Sequence, residues 1–195
     1  MSDNNPQFHS RRSIRLKGYD YSRAGLYFIT ICVQNRERLF GEIRPVGAAL
    51  VAALNPNLNP TPTYSQSMIL NDAGRMIESE WLALKKRFAH IELHEYVVMP
   101  NHFHAILEIV ENDERATTRV APTTNKTVGD MIDAFKSITT VEYIRSVKNH
   151  EWNRFEGKLW QRNYWEHIIR DEESYERIAG YIARNPDKWN EDNLK

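Results

Sequence analysis

The chain has 195 residues, enough for one domain with a sizeable core and too few for two full ones. Apolar residues make up 41% and charged residues 27%, which excludes a largely disordered chain, and no apolar run approaches the roughly 18 residues of a membrane helix. Lys+Arg and Asp+Glu are both 26, so the net charge is zero; coating of nucleic acid by bulk charge is excluded, while local basic patches remain open.

Residues 1–23 are polar and basic. Arg11, Arg12, Arg15, Lys17 and Arg23 outnumber Asp3 and Asp20 by three. The segment reads as an N-terminal arm, either a solvated tail or a phosphate contact, without the apolar centre of a signal peptide. A cytoplasmic protein is the expectation. Residues 24–189 then read as a single domain and 190–195 as a tail. The run from Leu26 to Val33, LYFITICV, is rich in β-branched and aromatic residues and is strand-length. Cys32, the single cysteine, lies within it and reads as a small buried apolar residue; alone it supports neither a disulfide framework nor a Cys-based zinc site. A short second strand is placed near Leu39–Ile43. Residues 45–67 carry GAALVAAL and then NPNLNPTPTYSQS, whose prolines and asparagines oppose regular structure. They read as an insertion between a strand and a helix.

Asn71 or Asp72 can cap a helix over about 72–88 that buries Met76, Ile77, Trp81, Leu84 and Phe88, spaced at three and four. Two strands follow, Leu93–Met99 and His102–Val110, with Pro100-Asn101 between them. Residues 111–127 read as a loop. A second helix, about 128–148, is expected to bury Met131, Ile132, Phe135, Ile138, Tyr143 and Ile144, with Val128 and Val141 at the seam. Leu159–Arg170 is strand-like. Asp171-Glu172-Glu173 opens a last helix that runs to Asn185 and stops before Pro186. The order β, (β), α, β, β, α, β, α fits an α+β, ferredoxin-like antiparallel sheet with helices on one face plus an added C-terminal helix.

The most informative segment is Met99–Leu107, MPNHFHAIL. On a strand, alternate side chains share a face, so His102 and His104 point the same way with β-carbons about 7 Å apart. Phe103, Ala105, Leu107 and Ile109 then face the core. Two imidazoles so placed suit one divalent cation, which needs a further ligand. The last helix offers Asn185, four residues after Tyr181 and on the same helical face. The plainer alternatives stand beside this: Asn185 before Pro186 is an ordinary helix terminator, and Tyr181 can simply pack on the sheet. Tyr164 is the second-ranked tyrosine; Tyr175, six residues before Tyr181, is rotated away. His167 is an outside candidate for a metal or phosphate contact, whereas His90, His94 and His150 carry no usable pattern.

From Lys136 to Arg170 there are seven Lys/Arg and four Asp/Glu. Trp152, Trp160, Tyr164 and Trp165 interleave with Arg154, Lys158, Arg162 and Arg170. Aromatic rings beside cations can stack on unpaired bases while the cations follow phosphates; a core strand with a solvated face gives the same pattern.

The paired blocks VVMPNHFHAILEIV and LWQRNYWEHIIRDEESYERIAGYIARNP resemble the HUH single-tyrosine transposases, and most closely their REP-associated tyrosine transposase (RAYT) branch. The likeness runs from about Gly25 to Trp189. It implies metal ligation by His102 and His104, with Asn185 completing the site one turn after the nucleophile Tyr181. It also implies Mg²⁺ or Mn²⁺, although histidine-rich ligation by itself suits zinc equally. The substrate implied is single-stranded DNA, often folded as a hairpin. A phenol is a poor nucleophile at neutral pH, its unperturbed pKa being about 10, so the implied cation has a role in polarising the phosphate. Attack by Tyr181 would leave a 5′-phosphotyrosine and a free 3′-hydroxyl, and a later strand hydroxyl could reverse the step without ATP. Two alternatives are a metal-dependent nuclease using water and a non-catalytic hairpin-DNA-binding protein. Both a homodimer and a monomer fit the sequence, and association with a bacterial nucleoid would follow from the DNA reading.

Overall fold

The β-rich run predicted first forms β1, Gly25–Cys32, and it becomes an inner strand of the main sheet. The structure is a computed structural model that describes residues 18–46, 65–111, 126–149, 152–191 and 194. The other elements are β2 (Gly41–Val46), β3 (Ser65–Leu70), α1 (Asp72–Leu82), α2 (Leu84–Arg87), β4 (Ile91–Val98), β5 (His102–Ile109), α3 (Val128–Asn149), β6 (Trp165–Ile169) and α4 (Glu172–Ala183). The four-stranded sheet has the order β4-β5-β1-β6 with every pair antiparallel. This is the ferredoxin-like arrangement expected from the sequence, built from two split β-α-β halves. Among the described residues no helix is long and apolar enough to cross a membrane.

The two faces of the sheet are chemically different, and the period-2 alternation of β1 and β5 makes them so. Tyr27, Ile29 and Ile31 of β1 and Phe103, Ala105 and Leu107 of β5 are buried in the main core under α1 and α3. Trp81 of α1 meets Phe103 and Phe135 edge-on, with ring centroids 4.9 and 5.5 Å away. Each such fully buried aromatic contributes on the order of 2–3 kcal/mol through the area it removes from water. The opposite face carries α4 and a smaller apolar cluster of Ile106, Ile169, Ile178 and Ile182.

Local chemistry sets the helix starts. Asn71 caps α1, its Oδ1 accepting from the Gly74 N–H at 2.9 Å. Thr127 and Asp130 bond reciprocally at the start of α3, each side chain accepting from the other's backbone N–H. Asp171 caps α4 by accepting from the Ser174 N–H at 2.7 Å.

Several expectations shift. The helix placed over 72–88 divides at Ala83 into α1 and the one-turn α2; no glycine or proline explains the break. Along α3 the buried stripe is Val128, Met131, Ile132, Phe135, Thr139 and Tyr143, while Val141 and Ile144 are exposed. The Trp160 indole explains the threonine: its N–H donates to Thr139 Oγ1 at 2.9 Å inside the core. The second strand lies at Gly41–Val46, and Ser65–Leu70, read as part of or next to an irregular insertion, forms β3 and pairs with it as a separate two-stranded sheet. Gly41 has φ +136°, and a β-carbon there would lie 2.2 Å from the Ile69 carbonyl oxygen, so this entry to the ribbon requires glycine. Of Leu159–Arg170, Trp165–Ile169 is strand and Trp160 makes an isolated bridge to Val33. Within the segment read as an N-terminal arm, Tyr21 is buried in the main core and its carbonyl accepts from the Val128 N–H at 3.1 Å.

Candidate active site

His102 and His104 stand on the α4 face of β5, both fully buried, with ring centroids 4.6 Å apart. The outer partner of His102 settles which of its nitrogens carries hydrogen. The buried Asn101 amide nitrogen donates to the backbone carbonyls of Leu194 (2.8 Å) and Arg36 (3.3 Å), which turns Oδ1 toward His102 Nδ1 at 2.8 Å. An amide oxygen only accepts, so His102 Nδ1 carries the hydrogen and Nε2 the lone pair. His104 Nδ1 lies 2.7 Å from Thr30 Oγ1 on the neighbouring strand. With Nδ1–H donating to Thr30, His104 Nε2 also presents a lone pair, and it does so toward Tyr181. Burial, and secondarily the His102 ring, hold the His104 pKa well below the usual imidazole value, so the ring is neutral at physiological pH.

Tyr181 sits on the last full turn of α4. Its hydroxyl lies 3.3 Å from His104 Nε2, within hydrogen-bond reach, bringing together residues 77 apart in the chain. Phe28 stacks on the His104 ring at 5.5 Å and meets the Tyr181 ring edge-on at 6.2 Å, filling the angle between them. Tyr181 is 37% exposed, so the phenol is open to a substrate on one side.

Asn185 falls just beyond α4, whose last helical residue is Ala183, with its N–H donating to Ile182 O at 3.2 Å. The residue is buried, and its Oδ1 has no donor within reach among the described residues. A buried amide oxygen without a hydrogen-bond partner is costly unless something electropositive meets it. Imidazole nitrogens and an amide oxygen are donor types that a divalent cation accepts. No cluster of three or more His, Cys, Asp and Glu side chains is gathered for a metal among the described residues, so a cation here depends on the asparagine.

Three supports escaped the sequence reading. In the sequence Asn101 stands out only as part of the turn before β5. Thr30 was one residue of an apolar strand. Trp189 follows α4, stacks on the His102 ring at 6.1 Å and has the Arg38 guanidinium 5.4 Å from its own centroid. Asp187 accepts from the Gln66 N–H at 2.5 Å and so ties the segment holding Asn185 to β3. Cys32 is buried as expected, but it stands directly opposite His102 and lines the site cavity rather than packing in the main core.

That cavity, of about 550 Å³, is lined by Phe28, Thr30, His104, Gln161, Tyr164, Trp165 and Tyr181, among others. Tyr164 is half-buried, while Trp165, Arg154, Lys158 and Arg162 are exposed. Arg11, Arg12, Arg15 and Lys17 lie outside the described residues. Other members of the basic-aromatic pattern serve the fold. Trp160 packs on Phe40 at 5.2 Å, and Trp152 packs on Tyr143 at 5.2 Å. The Lys136 ammonium donates to the carbonyls of Gln161 and Arg162 at 2.7 and 2.9 Å. His167 lines a second cleft of about 500 Å³, with Arg170 and Arg177. Tyr175 is rotated away from Tyr181 as expected and docks α4: its hydroxyl donates to Glu95 at 2.8 Å, in an irregularity of β4 that also presents His94 to Glu108.

No family model matches the chain. An uncharacterized protein of Haemophilus influenzae is 38% identical over 202 residues, spanning 97% of this chain and 96% of its own. A second H. influenzae protein, which carries the name of a REP-associated tyrosine transposase, is 27% identical over 171 residues, or 87% of this chain and 74% of that one. The REP-associated tyrosine transposase of Escherichia coli is 28% identical over 103 residues, 53% of this chain and 48% of that one. Fold, site and relatives together define the class, a transposase. More narrowly, the relatives that carry a name are REP-associated tyrosine transposases, at 27 and 28% identity. Among solved structures, a REP-associated tyrosine transposase bound to a REP hairpin aligns at a TM-score of 0.46 and 19% identity, over 88% of this chain and 72% of that one.

Proposed function

We propose that this protein cuts and rejoins single-stranded DNA, carried as a hairpin or beside one, through a covalent 5′-phosphotyrosine on Tyr181. The observation that carries the reading is the placement of the Tyr181 hydroxyl 3.3 Å from Nε2 of the buried His104, whose ring lies 4.6 Å from that of the buried His102.

His102 Nε2, His104 Nε2 and Asn185 Oδ1 would hold Mg²⁺ or Mn²⁺, which supplies charge neutralisation at the scissile phosphate. The chain does the rest by positioning. Asn101 fixes the His102 tautomer, Thr30 hydrogen-bonds His104 Nδ1, and Phe28 packs against both the His104 and the Tyr181 rings. Tyr181 Oη attacks phosphorus, the bond from phosphorus to the 3′-oxygen breaks, and the phenol proton leaves to water on the exposed side of the ring. The products are a 5′-phosphotyrosine and a strand ending in a 3′-hydroxyl. Attack of another 3′-hydroxyl on the same phosphorus reverses the sequence and restores the phenol.

Hairpin DNA with a single-stranded flank, incubated with the protein and Mn²⁺, is expected to give a protein–DNA adduct that survives denaturation. Tyr181→Phe should abolish the adduct and leave DNA binding unchanged. An adduct that persists in Tyr181→Phe refutes the assignment of the nucleophile. Cut DNA without an adduct would point to water as the attacking group, and hairpin binding without cutting, indifferent to chelator and to His102→Ala, would point to a binder.

A further inference from the structure

The site has a second wall that the phosphotyrosine chemistry does not use. Register places it: Thr30 of β1 faces His104 of β5 on one side and Trp165 of β6 on the other. Directly opposed residues of antiparallel strands project to the same face, so His104, Thr30 and Trp165 form one row across the sheet. Neighbouring strands are about 4.8 Å apart, which sets Trp165 about 10 Å from His104 on the face that carries the site. Trp165 is 52% exposed. The other exposed large apolar residues among those described are aliphatic, Tyr181 excepted, and the two exposed aromatic rings line the same cavity.

The wall beside Trp165 is held firmly. The Gln161 N–H donates to Cys32 O and the Gln34 N–H to Leu159 O, both at 2.9 Å, which fastens this loop to the end of β1. Lys136 reaches from α3 to the carbonyls of Gln161 and Arg162. Gln161 and Asn163 border the cavity, whose volume lies within the range of pockets that enclose small ligands. An indole fixed on a strand, open to solvent and flanked by amides, offers a π-face to a planar ring and hydrogen-bonding groups to its edge.

We propose that this wall is a nucleobase subsite: an unpaired base close to the phosphate that Tyr181 attacks stacks on Trp165, with its edge toward Gln161 and Asn163. The inference rests on the reading of the site as one for single-stranded DNA and adds where a base is gripped. Stacking on an aromatic platform accepts any base, because every base has a π-face. The subsite therefore fixes the strand's position along the groove and leaves sequence choice to other contacts.

The test uses the full chain in EDTA, so that no cleavage occurs. A single-stranded oligonucleotide is titrated while tryptophan fluorescence is followed; Trp81, Trp160 and Trp189 are buried and Trp152 is half-buried, so Trp165 is the indole a base can reach. Wild type should be quenched on binding. Trp165→Ala should lose the quench and bind about 5- to 150-fold more weakly, and Trp165→Tyr should recover most of the affinity. An abasic site is then moved one nucleotide at a time along the oligonucleotide. One position should weaken wild type about as much as Trp165→Ala does and have no further effect in that variant. Equal affinity of wild type and Trp165→Ala, or an abasic penalty undiminished in the variant, overturns the proposal. The two readings fail separately. Quenching and the abasic coupling without any Tyr181 adduct would refute the covalent mechanism alone, and adduct formation with no abasic coupling would refute the subsite alone.

Discussion

Asn101→Ala tests how the site sets its imidazoles. Asn101 is fully buried, and its side chain joins three groups: it accepts from His102 Nδ1–H and donates to the carbonyls of Leu194 and Arg36. Leu194 O keeps a second donor in the Arg36 guanidinium at 3.0 Å, so the group left worst off is the buried His102 N–H. An orphaned buried donor costs about 1–3 kcal/mol, and the melting temperature should fall accordingly. The larger consequence is tautomeric. Without the amide oxygen, the imidazole is free to move its hydrogen to Nε2, and a protonated nitrogen cannot bind a cation. Loss of such an outer partner typically weakens metal binding 10- to 100-fold, or about 1.4–2.7 kcal/mol. Calorimetric titration with Mn²⁺ gives the affinity, thermal unfolding in EDTA gives the stability, and ¹⁵N spectra of the imidazoles report the tautomer directly. Metal affinity within twofold of wild type, together with an unchanged His102 tautomer, would refute the reasoning.

Three further outcomes are expected. Trp189→Ala removes the ring stacked on His102 and should cost about 3–5 kcal/mol in stability, whereas Trp189→Phe should retain most of the stability and the Mn²⁺ affinity; equal loss in both variants would show that stacking is not what the residue contributes. Alkaline pH should destabilise the fold: burial, with Glu37 adding to it, pushes the Tyr143 hydroxyl up to about 12, and burial with the Tyr19 hydrogen bond raises Tyr27 as well. Below pH 10 both states keep these protons; above it the unfolded chain ionises first, so stability should decline from pH 10 toward 12, and a flat unfolding midpoint over that range would count against it. Gly41→Ala should destabilise the protein by more than 1 kcal/mol, because φ +136° and the Ile69 carbonyl leave no place for a methyl group, and a chemical denaturation curve checks this.

What could be read in the chain beforehand was what is local. Alternation along His102–Ile109 assigned both faces of β5 correctly, because a strand's side-chain period is a property of its own backbone. The His-x-His pair and the Tyr181/Asn185 spacing were visible for the same reason, although Asn185 turned out to lie past the end of its helix. What escaped was tertiary. Val141 and Ile144 looked like core residues, yet the stripe that meets the sheet runs through Thr139 and Tyr143, and an indole on a distant loop makes a threonine welcome there. β3 lacks clean alternation and follows a proline-rich stretch, so only its pairing with β2 reveals it. Trp152, Trp160 and Lys136 looked like parts of a nucleic-acid surface because they have basic or aromatic neighbours in sequence, but sequence proximity does not say which way a side chain turns. Asn101 left one faint sign, a polar residue directly before the paired histidines.

The phenol and the imidazoles are mounted on supports of unequal strength. β5 lies inside the sheet, bonded on both edges and sealed under the large core, whereas α4 is clamped chiefly by four isoleucines and a few polar ties. Amide exchange along α4 should therefore outpace that along β5, since a small clasp can spring while the sheet beneath it stays shut. Tyr181 would then swing clear of His104 at a fraction of the cost of global unfolding, giving this scaffold a hinged arm over a fixed anvil.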